Sequence, residues 1–313
     1  MGDDFSVNGF LLVDKPEGLT SHQVVARVKR SLGIRRVGHG GTLDPMATGL
    51  LVVGVGRATR LLGHIADKTK QYTACIRLGQ ATTTDDAEGE LTGAPVDATV
   101  LQPEQVHAAM AGYVGAIQQV PSSVSAIKVN GRRAYDLVRC GETVELKSRE
   151  VTVTAFDLLS RTDDSPWADL WVLVDCSSGT YVRALARDLG KDLGVGGHLT
   201  ALRRTRIGQM SVENAVSLDD IGPDSVIPMG EMAHHIAPSI HVDETQVRDI
   251  AVGRPINVEI TTGMASIFYG AQMLALYEPD PHDPGRAVPI AVFIDPTDRS
   301  LQTARHEKTG KLG

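Results

Sequence analysis

Hydrophobic positions along the chain follow two different periods, and their succession predicts a protein of the α+β class. The apolar segment 9–14 predicts a short buried strand. A helix capped by Thr20 or Ser21 is predicted to follow it. Its apolar positions recur at helical spacing, namely Val24, Val25, Val28 and Leu32. The first elements are therefore a strand and an amphipathic helix.

Later segments continue this mixture of strands and helices. Further strands are predicted where short apolar or alternating segments occur, at residues 50–55, 72–78, 151–155 and 170–176. Helices are predicted at 59–65 and 103–114, and another one follows residues 178–180. The acidic stretch 82–90 has no periodicity and is predicted to be a loop.

The character of the sequence changes beyond about residue 235. Short apolar runs at 273–277 and 288–294 alternate there with Pro, Gly and Asp turns, which predicts a small β-rich module. The polar tail from about residue 298 has no periodicity, and we expect it to be disordered.

Charge is distributed unevenly. The 31 Lys and Arg and 38 Asp and Glu residues give a net charge of −7, which by itself argues against a nucleic-acid partner. Residues 1–80, however, carry 11 basic and 6 acidic side chains, whereas residues 81–120 carry 6 acidic and no basic ones. Because phosphate attraction is screened within about 8–10 Å, the local excess matters more than the total. We expect the basic positions within 27–36 to contact phosphate, the alternative being a solvated helix face.

One glycine-rich loop displays a single carboxylate. Residues 38–49 read Gly-His-Gly-Gly-Thr-Leu-Asp-Pro-Met-Ala-Thr-Gly, so Asp44 lies on a turn. Glycine permits positive φ and the close approach of a ligand, and Pro45 favours an extended conformation at Asp44. A purely structural aspartate needs less support than this, although Gly-Asp-Pro clusters also occur in ordinary turns. The local sequence leaves both interpretations open.

Several familiar kinds of site are absent from the sequence. It contains no P-loop, no Gly-x-Ser-x-Gly and no complete dinucleotide-binding motif, since Thr59 stands where the third glycine belongs. Cys75, Cys140 and Cys176 are far apart, and the ten histidines show no metal-ligand spacing. The longest apolar run, at 50–55, is too short for a bilayer span, which takes about 20 residues. We therefore expect a cytoplasmic protein with no metal, cofactor or membrane partner.

Two further side chains stand at the ends of predicted elements. Tyr72 begins a strand directly after the basic stretch 67–70. A tyrosine in such a pattern often belongs to the core, and the alternative is a stacking platform for a base. Arg183 lies in the first turn of a helix, where the dipole disfavours a cation. It therefore calls for a carboxylate partner, unless it is an ordinary surface residue.

Five segments, in the same order, resemble one known family. Together they look like a bacterial tRNA pseudouridine synthase of the TruB type, at residues 38–49, 67–79, 121–139, 178–187 and 198–208. The similarity extends over about residues 8–210 and includes several independent motifs. The C-terminal portion resembles the small PUA-like RNA-binding module of that family only weakly.

The resemblance implies roles for individual residues. Asp44, in Gly-Thr-Leu-Asp-Pro, would be the nucleophile, and Arg183, in Gly-Thr-Tyr-Val-Arg, would pair with it and lower its pKa. Tyr72, in Lys-Gln-Tyr, would stack on the flipped base and is a candidate for the base that takes the C5 proton. His39 and Tyr181 would contact the RNA substrate.

Other positions would complete the RNA-binding surface. Leu202, in Ala-Leu-Arg-Arg, would form the apolar wall of the pocket, and the span 120–149 would be a thumb loop that closes on RNA. Contacts to the RNA backbone are expected from basic side chains, at Arg35, Arg36, Lys128, Arg132 and Arg203.

The implied fold is a pseudouridine synthase domain with a central, largely antiparallel mixed sheet flanked by helices. This domain would occupy residues 8–235, a PUA-like domain 236–297, and the tail 298–313. The implied activity is isomerisation of uridine 55 in the TΨC loop of tRNA by a monomeric enzyme. A non-catalytic RNA-binding or RNA-chaperone protein would present the same surface. An aspartate-based hydrolase of a small molecule fits less well with basic clusters on both sides of Asp44.

Overall fold

The computed structural model describes residues 7–122, 128–129, 132–133, 146–261 and 263–294. Within them the strands are β1 (Gly9–Lys15), β2 (Val37–Gly40), β3 (Thr48–Val55), β4 (Lys70–Leu78), β5 (Ala81–Thr82), β6 (Leu91–Thr92), β7 (Gly115–Gln119), β8 (Lys128–Val129), β9 (Arg132–Arg133), β10 (Arg149–Asp164), β11 (Trp167–Cys176), β12 (Gly197–Ile207), β13 (Met210–Ser211), β14 (Ile227–Pro228), β15 (Ser239–His241), β16 (Ala265–Tyr269), β17 (Gln272–Asp280) and β18 (Asp283–Val292). The α-helices are α1 (Ser21–Leu32), α2 (Leu62–Ala66), α3 (Pro103–Ala111), α4 (Val182–Asp192), α5 (Met229–Met232) and α6 (Glu244–Ala251).

One mixed sheet forms the centre of the molecule. Its strands follow the order β14-β1-β3-β12-β4-β11-β10-β7, with β2 added to β3 and β13 to β12. Among the described pairs of this sheet, β3 and β12 run parallel, through Arg203 and Thr48, and the others are antiparallel. The predicted α+β class with a largely antiparallel sheet is therefore confirmed.

The first two long strands of the sheet are apolar on both faces, which explains their continuous hydrophobic runs. Leu11 and Leu51 pack on the side covered by α1, and Phe10 and Leu50 pack on the opposite side. Helix α1 is capped by Thr20, one of the two residues predicted for that position. The Thr20 hydroxyl accepts from the Gln23 amide at 3.1 Å, and the Gln23 side chain accepts from the Thr20 amide at 2.7 Å.

A second core lies between α4 and strands β4, β11 and β12. Leu185 and Leu189 of the helix pack there against Ile76 and Leu170 of the sheet. In the β4–β12 pair, Arg204 lies opposite Tyr72 and Leu202 opposite Ala74. The start of β4, the later part of β12 and the first turn of α4 therefore meet at one end of this core.

Some predicted boundaries differ from the structure. The helix expected over 103–114 ends at Ala111, because the chain turns at Gly112 and enters β7 at Gly115, whose φ of +112° favours glycine. The segment expected to be helical at 59–65 is a 3₁₀ turn at Gly56–Leu61 that leads into α2.

The C-terminal β-rich module is a four-stranded sheet, β15-β16-β17-β18. It shares a hydrophobic cluster with the first sheet, in which Phe268 and Phe293 pack near Phe10. Polar contacts add to this packing, since Arg60 donates to the Val292 carbonyl at 2.6 Å and Lys68 to that of Ile236 at 2.8 Å. Part of the basic charge of the N-terminal region therefore holds the C-terminal module, and the residues that do so, Arg60 and Lys68, lie outside the positions for which phosphate contacts are predicted.

The exact domain boundaries at 235 and 236 stay predictions, and the predicted tail from residue 298 lies outside the described residues. None of the helices within the described ranges has the length and apolar character that crossing a membrane requires.

Candidate active site

A cavity of about 280 Å³ opens where the two central strands and the first turn of α4 meet. Its lining includes five residues that the sequence singled out, namely Asp44, Tyr72, Tyr181, Arg183 and Leu202. The segments that carry them are far apart in the chain. The fold therefore brings five of the predicted site residues to one cavity.

Asp44 lies on a tightly held loop between β2 and β3. The Leu43 amide donates to the Ser21 hydroxyl at 2.9 Å, and that hydroxyl donates to the Leu43 carbonyl at 3.1 Å. The buried Lys15 ammonium donates to the Pro45 carbonyl at 3.1 Å. Gly49 has a φ of +96°, and a Cβ there would lie 2.3 Å from a backbone oxygen of β12. Both sides of the loop are therefore fastened, one to the sheet and one to α1.

Arg183 binds two carboxylates at once. Its Nε lies 3.0 Å from Asp44 Oδ2, and its Nη1 lies 3.0 Å from Asp86 Oδ2. Only 4% of the Arg183 side chain is exposed, so the alternative of a surface arginine is wrong. The carboxylate partner that the helix position required is present. A charge network Asp44–Arg183–Asp86 therefore forms one wall of the cavity.

Asp86 was not predicted as part of the site. Its carboxylate is 3% exposed and also accepts from the Glu88 amide at 3.1 Å. The neighbouring Asp85 pairs with Arg187 at 3.1 Å and has a φ of +62°, which is rare for a residue other than glycine. The acidic stretch is thus fastened to α4 by two adjacent aspartates. The signal in the sequence that could have indicated these contacts is the pair of arginines four residues apart on one face of α4.

The pKa of Asp44 is raised above its usual value, and the largest cause is desolvation. Arg183 opposes the rise, and the charge of Asp86 adds to it. The sequence predicted that Arg183 lowers this pKa. The arginine does act in that direction, but the low-dielectric surroundings outweigh it, although 36% of the Asp44 side chain is open to the cavity.

Tyr72 and Leu202 form the apolar part of the cavity wall. They are 7% and 8% exposed and pack with Leu43 and Met46 in the second core. Tyr72 is therefore both a core residue and a wall of the site, so the two alternatives do not exclude each other. Desolvation raises the pKa of its phenol, so a smaller fraction of Tyr72 is ionised and available as a base at neutral pH than for an exposed tyrosine.

Arg204 is a second site residue that the sequence did not single out. It is 1% exposed and lines the cavity. Its Nε donates to the Leu50 carbonyl at 2.8 Å, and its Nη2 donates to that of Gly41 at 3.0 Å. Arg204 therefore holds both ends of the Asp44 loop.

His39 lies beside the cavity and is not part of its lining. Its ring stands edge-on to that of His22, with 5.4 Å between the centroids. Burial is the largest cause that lowers the pKa of His39 to about 4, with His22 and Arg204 adding to it. His39 is thus placed near the site as a neutral imidazole at pH 7.

Tyr181 is fixed by a buried glutamine and covered by an arginine. The Tyr181 amide donates to Gln119 Oε1 at 2.8 Å, and Gln119 Nε2 donates to the Tyr181 carbonyl at 3.0 Å. The Arg149 guanidinium carbon lies 4.7 Å from the centre of the Tyr181 ring. Gln119 and Arg149 are cross-strand partners on β7 and β10.

The predicted contacts to the RNA backbone have different environments. Arg35 and Arg36 are exposed, and Arg36 Nε donates to the Thr59 hydroxyl at 2.9 Å. Arg203 makes a bidentate pair with Asp14 at 2.7 and 3.0 Å. Lys128 and Arg132 lie on the short strands β8 and β9, whose backbone pairing is described and whose side chains are not. The rest of the predicted thumb lies largely outside the described residues.

Among the residues that the structure describes, no group of three or more His, Cys, Asp and Glu side chains could hold a metal ion.

Solved structures with this fold include a Cbf5-Nop10-Gar1 complex and an archaeal box H/ACA sRNP Nop10-Cbf5 complex. The first aligns with a TM-score of 0.69 and 24% identity, covering 94% of this chain and 86% of that one. The second aligns with a TM-score of 0.66 and 25% identity, covering 94% and 87%. These likenesses extend through both sheets.

Sequence relatives are closer. The tRNA pseudouridine synthase B of Cutibacterium acnes is 51% identical over 292 residues, which covers 92% of this chain and 98% of the relative. That of Thermobifida fusca is 52% identical over 293 residues, covering 91% and 98%.

Two family models match consecutive parts of the chain. The TruB family pseudouridylate synthase N-terminal domain matches residues 29–182. The tRNA pseudouridylate synthase B C-terminal domain matches residues 183–234. The chain therefore belongs to the TruB family of pseudouridylate synthases.

Proposed function

We propose that this protein converts uridine 55 in the TΨC loop of tRNA to pseudouridine, with Asp44 as the nucleophile. The observation that carries the proposal is the Asp44–Arg183 pair, 3.0 Å apart, in a cavity walled by Tyr72 and Leu202. The names of the relatives, tRNA pseudouridine synthase B, support tRNA as the substrate.

Access to the target requires that the uridine leave the stacked loop. Flipping a base out costs a few kcal/mol, and stacking on an aromatic ring offsets part of that cost. The phenol ring of Tyr72 and the side chain of Leu202 line the cavity. A uracil ring between them would be shielded from water while it turns.

The isomerisation exchanges one bond for another. The N1–C1′ bond breaks, a C5–C1′ bond forms, the C5 proton leaves and N1 gains a proton. Asp44 must be ionised to act as a nucleophile on the uridine. Arg183 favours the ionised form and fixes the direction of the carboxylate. The enzyme acts as a monomer and needs neither a cofactor nor a metal for these steps.

The direct test is incubation with an unmodified tRNA transcript, followed by mapping of pseudouridine. We expect pseudouridine at position 55 and at no other position. A protein that binds the transcript and forms no pseudouridine would favour the RNA-chaperone alternative. Hydrolysis of a small molecule without action on RNA would favour the hydrolase.

A further inference from the structure

Arg149 is a half-buried residue at the cavity, and no role beyond its contact with Tyr181 has been assigned to it so far. It is the first residue of β10 and lies opposite Gln119, which fixes the backbone of Tyr181. Its guanidinium stacks over the Tyr181 ring and donates to the Gly179 carbonyl. Arg149 and Tyr181 both line the cavity. The arginine is therefore held in place by an aromatic platform.

The hydrogen-bonding capacity of Arg149 is not used up. Its Nε is buried and has no hydrogen-bond partner among the described residues, and no ion pair joins it to a carboxylate there. A buried cationic donor without a partner is costly. The other cations of the lining are engaged: Arg183 by two aspartates, Arg204 and Lys70 by backbone carbonyls.

The chemistry of Arg149 suits one part of an RNA substrate. A guanidinium that stacks on an aromatic ring keeps its N–H groups available for hydrogen bonds in the plane of the fork, and this planar fork matches phosphate oxygens in a bidentate manner. A nucleotide flipped into the cavity brings a phosphate on each side of its ribose to the mouth, whereas its uracil ring is neutral.

We propose that Arg149 binds the backbone phosphate next to the flipped uridine, with Tyr181 as its platform. This rests on the proposed function, since it assumes that the uridine enters this cavity. Arg149 is then a substrate-positioning residue, which places the ribose and the glycosidic bond relative to Asp44.

The test combines a variant of the protein with a neutral phosphate. Arg149→Met and the wild type are assayed on a TΨC stem-loop and on stem-loops whose phosphate 5′ or 3′ to the target uridine is a methylphosphonate. For wild type, we expect one of the two methylphosphonates to lower kcat/KM by about tenfold to a hundredfold, as loss of a charge-assisted hydrogen bond does. Arg149→Met should show a similar loss on the native RNA and little further loss on that methylphosphonate.

Two controls separate binding of phosphate from a structural role. Lys147→Met removes an exposed cation two residues away. The methylphosphonate should lower kcat/KM of this variant by the same factor as it lowers kcat/KM of the wild type. Arg149→Lys retains the charge without the fork, so it should recover part of the kcat/KM and should keep the sensitivity to the methylphosphonate.

The assignment would be overturned if each methylphosphonate lowered kcat/KM of Arg149→Met by the same factor as it lowers kcat/KM of the wild type. The arginine would then act only through Tyr181. Equal rates of Arg149→Met and wild type on native RNA would overturn it as well. Failure of the proposed function is a distinct result, namely no pseudouridine from wild type on the native stem-loop.

Discussion

Two loops, the glycine-rich loop with Asp44 and the acidic loop with Asp86, place a carboxylate on the same arginine, and they do so in opposite ways. The glycine-rich loop leaves 36% of the Asp44 side chain open to the cavity, whereas the acidic loop leaves 3% of Asp86 exposed. Asp86 also accepts from the Glu88 amide and the Thr84 hydroxyl. Among the described residues, the carboxylate of Asp44 is held by Arg183 alone.

This difference separates a reactive carboxylate from a positioning one. A carboxylate that accepts several hydrogen bonds is stabilised as an anion and is a poor nucleophile, because attack would break those hydrogen bonds. Asp44 keeps a free oxygen directed to the cavity, and Asp86 fixes the far side of Arg183. We therefore expect the two aspartates to respond differently to the same substitution.

The largest expected effect is that of Asp44→Asn. The amide keeps the shape of the side chain and cannot act as a nucleophile, so turnover should fall on the order of 10⁴-fold or more. The affinity for tRNA, measured by filter binding, should change less than about threefold, since base stacking and phosphate contacts are kept. Residual turnover close to the wild-type rate would remove Asp44 from the mechanism.

Arg183→Met should follow, with a fall in kcat on the order of 10²- to 10³-fold, because it removes the group that directs the Asp44 carboxylate. It also leaves Asp86 buried without its cation, and loss of one partner of a buried pair costs about 3–5 kcal/mol. Denaturant unfolding and single-turnover kinetics measure the two effects. If neither changed, the arginine would be incidental to the site.

Asp86→Asn should have a smaller effect, about tenfold to a hundredfold on kcat, because it only loosens Arg183. Its pH profile distinguishes it. Asp44 must be ionised, so kcat/KM falls as the pH drops through the raised pKa of Asp44. Removing the charge of Asp86 lowers that pKa, and the acidic limb of the profile should move to lower pH.

The exposed Glu90 of the same loop supplies the matched control. Glu90→Gln should change neither kcat nor the position of the acidic limb of the pH profile. If the acidic limb of the pH profile of Asp86→Asn moved to higher pH, this result would contradict the electrostatic role of Asp86.

The smallest effect is expected at Arg36, an exposed cation outside both loops. Affinity for tRNA should fall with rising salt despite the net charge of −7. Arg36→Gln should reduce the slope of log K against log salt by about 0.7–0.9 with no change in kcat. Lys191→Gln, on the exposed end of α4, is the control that should leave the slope unchanged.

The same comparison shows what the sequence can predict. The loop around Asp44 is visible because its glycines and Pro45 restrict the backbone locally, and local restrictions leave a local pattern. The amphipathic helices and the alternating strands are visible for the same reason.

Asp86 and Arg204 could not be found in this way. Asp86 lies in an aperiodic acidic stretch, and its role depends on Arg183, almost a hundred residues away in the chain. Arg204 directly follows Arg203, which was expected to contact RNA, but the Arg204 side chain is buried on β12 opposite Tyr72. Contacts between residues so far apart in the chain leave no periodic pattern in the sequence. The sequence predicts the effect of Arg183 on the pKa of Asp44 but not the larger, opposite effect of desolvation, because burial around the loop is not visible in the sequence.

The most direct measurement is tritium release from tRNA labelled at C5 of uridine, under single-turnover conditions, for wild type, Asp44→Asn and Asp86→Asn side by side. The account predicts release by wild type, slower but measurable release by Asp86→Asn, and none by Asp44→Asn while all three bind the tRNA. Release by Asp44→Asn at a rate equal to that of Asp86→Asn would contradict the assignment of Asp44 as the nucleophile.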